Sequence, residues 1–217
     1  MIQKALLGII ILLAIIYTFE IGIKDSEYII VFKLLPMIFI IVYALLSKAF
    51  NVKKYYILMT IGLVICAIGD YTIQLWFIVG LVFFLLGHIF YISAFISANE
   101  QKPPISLLAG LLVYGAVMAV IIAGGLLKDG NIVLALAVIA YISVILTMGW
   151  TAWRTKSMYA MIGAFLFIIS DSVLALNKFT IDIPYSGIWI MSTYYSAQIL
   201  LALSISQYSV IRNKMIQ

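Results

Sequence analysis

Charge is what this chain lacks most. Only 10% of its 217 residues are Asp, Glu, Lys or Arg and 66% are hydrophobic, against about 25% charged in ordinary soluble domains. No stretch between the apolar runs is long enough to fold by itself, so residues 1–217 read as a single integral membrane domain. The one cysteine, Cys66, excludes an intrachain disulfide, and the one histidine, His88, excludes a multi-histidine metal site. A metal held by two aspartates and that histidine is the arrangement left over, and neither a metal nor a cofactor is expected. There is no G-x-S-x-G elbow, no H-E-x-x-H pair and no glycine-rich phosphate loop, which removes the usual serine-hydrolase, zincin and nucleotide-binding readings. The net charge of +5 is scattered through short loops rather than clustered with aromatics, so no nucleic-acid partner is expected.

What the chain has instead is eight apolar runs of about the 20 residues a helix needs to cross some 30 Å of hydrocarbon. They cover residues 4–23, 29–47, 55–76, 77–98, 105–127, 131–153, 158–177 and 186–209. The first follows Lys4 and has no small-residue cleavage site after it, so it reads as a retained span rather than a signal peptide. The expected fold is all-α, a polytopic membrane bundle of eight transmembrane helices. An even count puts both termini on one side with Lys48, Lys53, Lys54, Lys102, Arg154 and Lys156. The other side keeps Lys24, Lys128 and Lys178 beside Asp25, Glu27, Asp129 and Asp182. Positive charge favours the cytoplasm, so both termini are expected there.

Two phrases repeat. IGLVICAIGD ends at Asp70 and IGAFLFIISD ends at Asp171, 101 positions on, while Gly80, His88 and Tyr91 are echoed by Gly187, Tyr195 and Gln198 at an offset of 107. Units of four spans would be two parallel repeats related by an axis along the membrane normal. A site between the halves would take one aspartate from each.

An ionised carboxylate in hydrocarbon costs several kcal/mol, so two at equivalent places point to use. Helix rise turns position into depth: Asp70 lies about 24 Å above Lys54, Asp171 about 22 Å above Lys156, Lys33 about 22 Å above Lys48, and His88 and Gln198 about 21 Å above Lys102 and Arg212. These five share one layer in the outer half of the membrane, with Asn177 and Lys178 just above. His88 and Tyr91 are i, i+3, as are Tyr195 and Gln198, and Cys66 and Asp70 are i, i+4, so each set shares a helix face. A wet pocket lined by these residues is one reading; an ion-pair network in which Lys33 and Lys178 neutralise the aspartates to hold the bundle together is the other. Tyr91, Tyr194 and Tyr195 suit interfacial anchoring, the depth of Tyr195 suits hydrogen bonding equally, and Pro36 should kink the second span and free a carbonyl near Lys33.

Four segments in this order, AIGDYTIQL, GLVFFLLGHIFYISAF, GAFLFIISDSVLALNKF and YYSAQILLAL, resemble the YhhN-type lysoplasmalogenase family of eight-span membrane proteins. The resemblance implies a membrane hydrolase that cleaves the vinyl ether bond of lysoplasmalogens, releasing a fatty aldehyde and a glycerophospho-ethanolamine or -choline, with a lysophospholipid substrate and membrane lipids as partners. Carried over by position, Asp70 and Asp171 match the family's acidic pair. His88 and Tyr91 match its fourth-span motif, Asn177 and Lys178 the end of its seventh span, and Tyr195 and Gln198 its last span. Lys33 resembles a second-span lysine that is typically followed by proline; here Leu34 follows and the proline comes at Pro36.

The residue chemistry suits that reaction by itself. Vinyl ether hydrolysis starts with protonation of an alkene carbon, and water captures the resulting oxocarbenium ion to give a hemiacetal that collapses to aldehyde and alcohol. Carboxyls that share a secluded site compete for ionisation, so one can serve as acid while the other, ionised, stabilises the cation and activates water. Either aspartate fits either role; the assignment taken forward is Asp171 as acid and Asp70 as base. Lys33 and Lys178 are candidates for the lipid phosphate, and the apolar bundle for the alkyl chain. A proton-coupled carrier of lipids or small amphiphiles is the competing reading, motivated by parallel halves and intramembrane carboxylates.

Overall fold

A computed structural model of the chain describes residues 2–20, 22 and 28–216. Lys24, Asp25 and Glu27, which entered the orientation argument, lie outside the described residues. Eight α-helices follow one another: α1 Ile2–Thr18, α2 Ile29–Leu46, α3 Lys53–Leu75, α4 Phe77–Ala98, α5 Ile105–Lys128, α6 Ile132–Ala152, α7 Met158–Phe179 and α8 Ser186–Ile216. Short 3-10 turns at Phe50–Val52 and Trp153–Thr155 precede α3 and follow α6, and among the described residues there is no strand. Helices α2 to α8 are long and apolar enough to cross a membrane, and α1 is a shorter apolar helix of 17 residues.

Two boundaries differ from the hydropathy reading. The first helix stops at Thr18 rather than running to residue 23, because Glu20 and Gly22 take left-handed backbone angles (φ 52° and 71°) that no α-helix continues through. The last continues as helix to Ile216 instead of ending near residue 209, since polar side chains past the hydrocarbon find partners in the loops. Other ends follow local chemistry. Ser157 caps α7 by accepting from the Ala160 N–H (3.2 Å). A single extended residue, Trp76, separates α3 from α4, and the hairpin is so tight that a Cβ at Gly80 would overlap the Ile73 backbone.

Chain neighbours pack most extensively, α3 on α4 and α7 on α8 above all, and α8 closes the bundle by also touching α1, α2 and α3. In lipid the approach of helices is driven by van der Waals packing, which favours small residues at the contact. Gly62 of α3 lies under the Tyr91 ring of α4, and Gly163 of α7 lies against Ala197, Leu200 and Leu201 of α8, so the two repeated phrases pack in the same way. One end of the bundle collects Gln3, Leu46, Asn51, Asn99, Glu100, Arg154 and Arg212, joined by Gln3–Leu46, Asn51–Asn213, Asn99–Arg154 and Glu100–Arg212 contacts. Both ends of the described chain are therefore at that basic end.

Candidate active site

Asp70 lies on α3, 2% exposed, and three other helices turn toward it. From α8, the Tyr194 hydroxyl donates to Asp70 Oδ2 at 2.5 Å; from α2, Lys33 Nζ stands 3.6 Å from Asp70 Oδ1. Gln198 Nε2 donates to the Tyr194 oxygen (3.2 Å) and Gln198 Oε1 accepts from Tyr91 of α4 (2.7 Å). The Tyr195 hydroxyl reaches the Lys33 carbonyl (2.8 Å), beside the turn that Pro36 deprives of a hydrogen bond. Every one of these side chains is buried. Tyr91 and Gln198 are the pair related by the 107-residue offset, so the hydrogen bond between them sits where the two halves meet.

Asp171 on α7 is built differently. The Tyr141 hydroxyl of α6 donates to its Oδ2 at 2.5 Å, and among the described residues it has no cationic partner. It is half-buried in the wall of a narrow cavity between α4, α5, α6 and α7. Phe77 and Phe179 stand at its outer end, Leu146 and Ile168 at its deep end, and Asp171, Tyr141, Tyr114 and Ser172 supply the polar groups of an otherwise apolar wall. Tyr114 and Ser172 are bonded to each other at 2.6 Å. Asp70 is absent from this lining, yet it interacts electrostatically with Asp171. The ring of His88 fills the space between the two networks, 4.5 Å from Phe167 and 5.6 Å from Tyr141 by ring centroids.

The structure thus brings Lys33, Asp70, Tyr91, Tyr195 and Gln198 into one sealed network, sets His88 beside it, and puts Asp171 in the wall of the cavity. A single cavity shared by both carboxyls, as the depth argument expected, is replaced by two environments separated by packed aromatic rings. Lys33 differs from its expected place at a lipid phosphate, because its ammonium is held against Asp70 and the residue is buried. Asn177 also turns elsewhere: its Oδ1 accepts from the Ile183 N–H (2.9 Å) and shapes the loop after α7. Lys178 is exposed, with Nζ 5.1 Å from the Phe77 ring centre at the outer end of the cavity. Two side chains on the carboxylates were not among the candidates, Tyr141 and Tyr194. Rise places Tyr141 about 20 Å above Arg154, in the layer already drawn, so counting buried phenols as polar would have found it.

Comparison with known proteins adds a family. Residues 28–205, from the start of α2 to well into α8, match the YhhN family. The chain belongs to the YhhN family. Among curated relatives, lysoplasmalogenase TMEM86A of Bos taurus is 37% identical over 158 residues, covering 66% of this YhhN chain and 63% of that protein. The Homo sapiens TMEM86A lysoplasmalogenase is 38% identical with the same coverage, and lysoplasmalogenase TMEM86B of Sus scrofa is 32% identical over 179 residues, 81% of this chain and 74% of that protein. The YhhN chain spans a little under two thirds of the length of the cattle and human TMEM86A proteins. No solved structure matches it. Both aspartates and all the side chains of the sealed network fall inside the family segment.

Proposed function

We propose that this protein hydrolyses the vinyl ether bond of lysoplasmalogens, the activity for which its relatives are named. The observation that carries the reading is Asp171, a carboxyl set in the wall of an otherwise apolar cavity with a second carboxyl in electrostatic reach. The lipid lies with its alkyl chain along Met118, Tyr141, Ile145 and Leu146, its ether at Asp171 and its phosphate toward Lys178, which rise puts about 10 Å above Asp171 on the same helix.

Asp171 is the acid. Tyr141 donates to Oδ2, which leaves Oδ1 to carry a proton to the alkene carbon. Asp70, with Lys33 on one oxygen and Tyr194 on the other, is the ionised partner whose negative charge favours the oxocarbenium ion. Both Asp70 oxygens are engaged, so the base differs from the sequence assignment: Asp171, ionised once it has given up its proton, takes one back from the water that attacks the cation. The hemiacetal then breaks its carbon–oxygen bond to the glycerol, giving an aldehyde and an alcohol with one water consumed. By the positive-inside rule the basic end, with both termini, faces the cytoplasm, and the Phe77–Phe179 end of the cavity lies toward the opposite face.

The test is incubation of purified protein with a lysoplasmalogen and detection of the released aldehyde by mass spectrometry. Aldehyde release that Asp171→Asn abolishes in a protein of normal thermal stability is the expected result. Uptake of intact lysolipid into proteoliposomes along a proton gradient, without aldehyde, would move the reading to a carrier.

A further inference from the structure

Among the described residues, His88 of α4 is a fully buried polar side chain with both nitrogens, Nδ1 and Nε2, unpaired. An imidazole always has two polar nitrogens, and a buried polar atom left unpaired costs about 1–3 kcal/mol. Ring packing does not account for that cost. Phe167 and Tyr141 meet the His88 ring edge to face at 4.5 and 5.6 Å, contacts that a phenylalanine would also make. The position is also particular. On one side is Tyr141, which holds Asp171; on the other is Tyr91, 6.4 Å away by centroids, which runs through Gln198 and Tyr194 to Asp70.

Resting on the hydrolase reading, we infer that His88 binds an oxygen that carries a proton, a water or the hydroxyl of a lipid ligand, between the Tyr141–Asp171 and Tyr91–Gln198 pairs. Such an oxygen can donate to the bare nitrogen of a neutral imidazole or accept from the protonated one, whichever faces it. Either source serves the reaction: water is the second substrate, and a lysoplasmalogen has a free hydroxyl on the glycerol carbon next to the ether-bearing one. A site that hydrogen-bonds that hydroxyl would reject a lipid acylated there, because the buried nitrogen that bonds it would be left unpaired.

The chain has one histidine, so the test is direct. Protein made with 15N-histidine and purified through a tag without histidine gives nitrogen signals from His88 alone. They are recorded in detergent alone, with a saturated alkyl lysophosphatidylethanolamine that has the free hydroxyl and no bond to cleave, and with the same lipid methylated on that hydroxyl. Hydrogen-bonded shifts already present without lipid, and unchanged by either, identify water. A change caused by the hydroxyl lipid and not by its methyl ether identifies the ligand hydroxyl. Nitrogen shifts free of hydrogen bonding in all three samples overturn the inference. His88→Phe, which keeps the ring contacts, is expected to lower turnover at least tenfold with unfolding temperature retained; normal turnover would also overturn it. The nitrogen signal needs no chemistry, so a protein that releases no aldehyde from lysoplasmalogen sinks the hydrolase reading without deciding what His88 binds.

Discussion

Asp70 and Asp171 close the same ten-residue phrase on equivalent helices, and the neighbouring helix in each half sends one side chain to the carboxylate. In the first half α2 sends Lys33; in the second α6 sends Tyr141. A cation beside a buried carboxylate fixes it as an anion, whereas a phenol donates one hydrogen bond and leaves the carboxyl free to be neutral. Burial follows the same division, since Asp70 is sealed and Asp171 faces a cavity. Asp70 also takes a phenol, from Tyr194, so the cation is what sets the two carboxyls apart, and on the proposed reading equal positions carry unequal roles, as paired carboxylates elsewhere divide acid from counter-charge.

The comparison breaks first at the acid. Asp171→Asn keeps the shape and loses the transferable proton, so aldehyde release should fall by about 10²–10⁴-fold with little change in thermal stability. If Asp171→Asn works normally and Asp70→Asn does not, the roles are reversed.

Next comes stability, where the order should invert. Lys33→Met leaves Asp70 as a buried carboxylate without its cation, a change that costs about 3–5 kcal/mol, while Tyr141→Phe removes one hydrogen bond at about 1–2 kcal/mol. Thermal unfolding in detergent should show the larger loss for Lys33→Met, and Lys33→Met combined with Asp70→Asn should recover much of it. Strict additivity of the two changes would mean that the ion pair does not hold the network together.

Cavity and sealed network also separate in specificity. Leu146 lines the deep end of the cavity, where the alkyl chain lies in the proposed pose, and Leu146→Phe should raise the KM for long alkyl chains several-fold while short-chain substrates are handled normally. An equal loss for all chain lengths would place the alkyl chain elsewhere.

Much of this was legible before any coordinates. Eight apolar runs, the abrupt junction of the third and fourth at residues 76 and 77, and the common depth of Lys33, Asp70, His88, Asp171 and Gln198 follow from hydropathy and helix rise, which depend only on position along the chain. What escaped depends on rotation about each helix axis. Depth alone cannot tell that Asp171 faces α6 and a cavity while Asp70 faces α2 and α8, and a tyrosine in an apolar helix has no charge to mark it, so Tyr141 and Tyr194 were passed over as partners. The end of α1 was hidden for another reason: left-handed angles at Glu20 and Gly22 interrupt a helix whose hydropathy barely changes there.

The smallest effect belongs to the other ion pair. Arg212 Nη1 and Glu100 Oε1 are 2.9 Å apart, closer than Lys33 and Asp70, but the arginine side chain is 46% exposed at the basic end of the bundle. Water and salt screen that pair, so its contribution is about 0–1 kcal/mol despite the shorter distance. Tyr208 donates to the same Glu100 oxygen at 2.7 Å and keeps it partnered when the arginine is removed. Arg212→Ala should therefore shift the unfolding temperature only slightly and leave aldehyde release unchanged, in contrast to Lys33→Met. Equal losses from the two substitutions would show that burial does not separate these pairs, and the division between the sealed carboxylate and the rest of the molecule would lose its energetic basis.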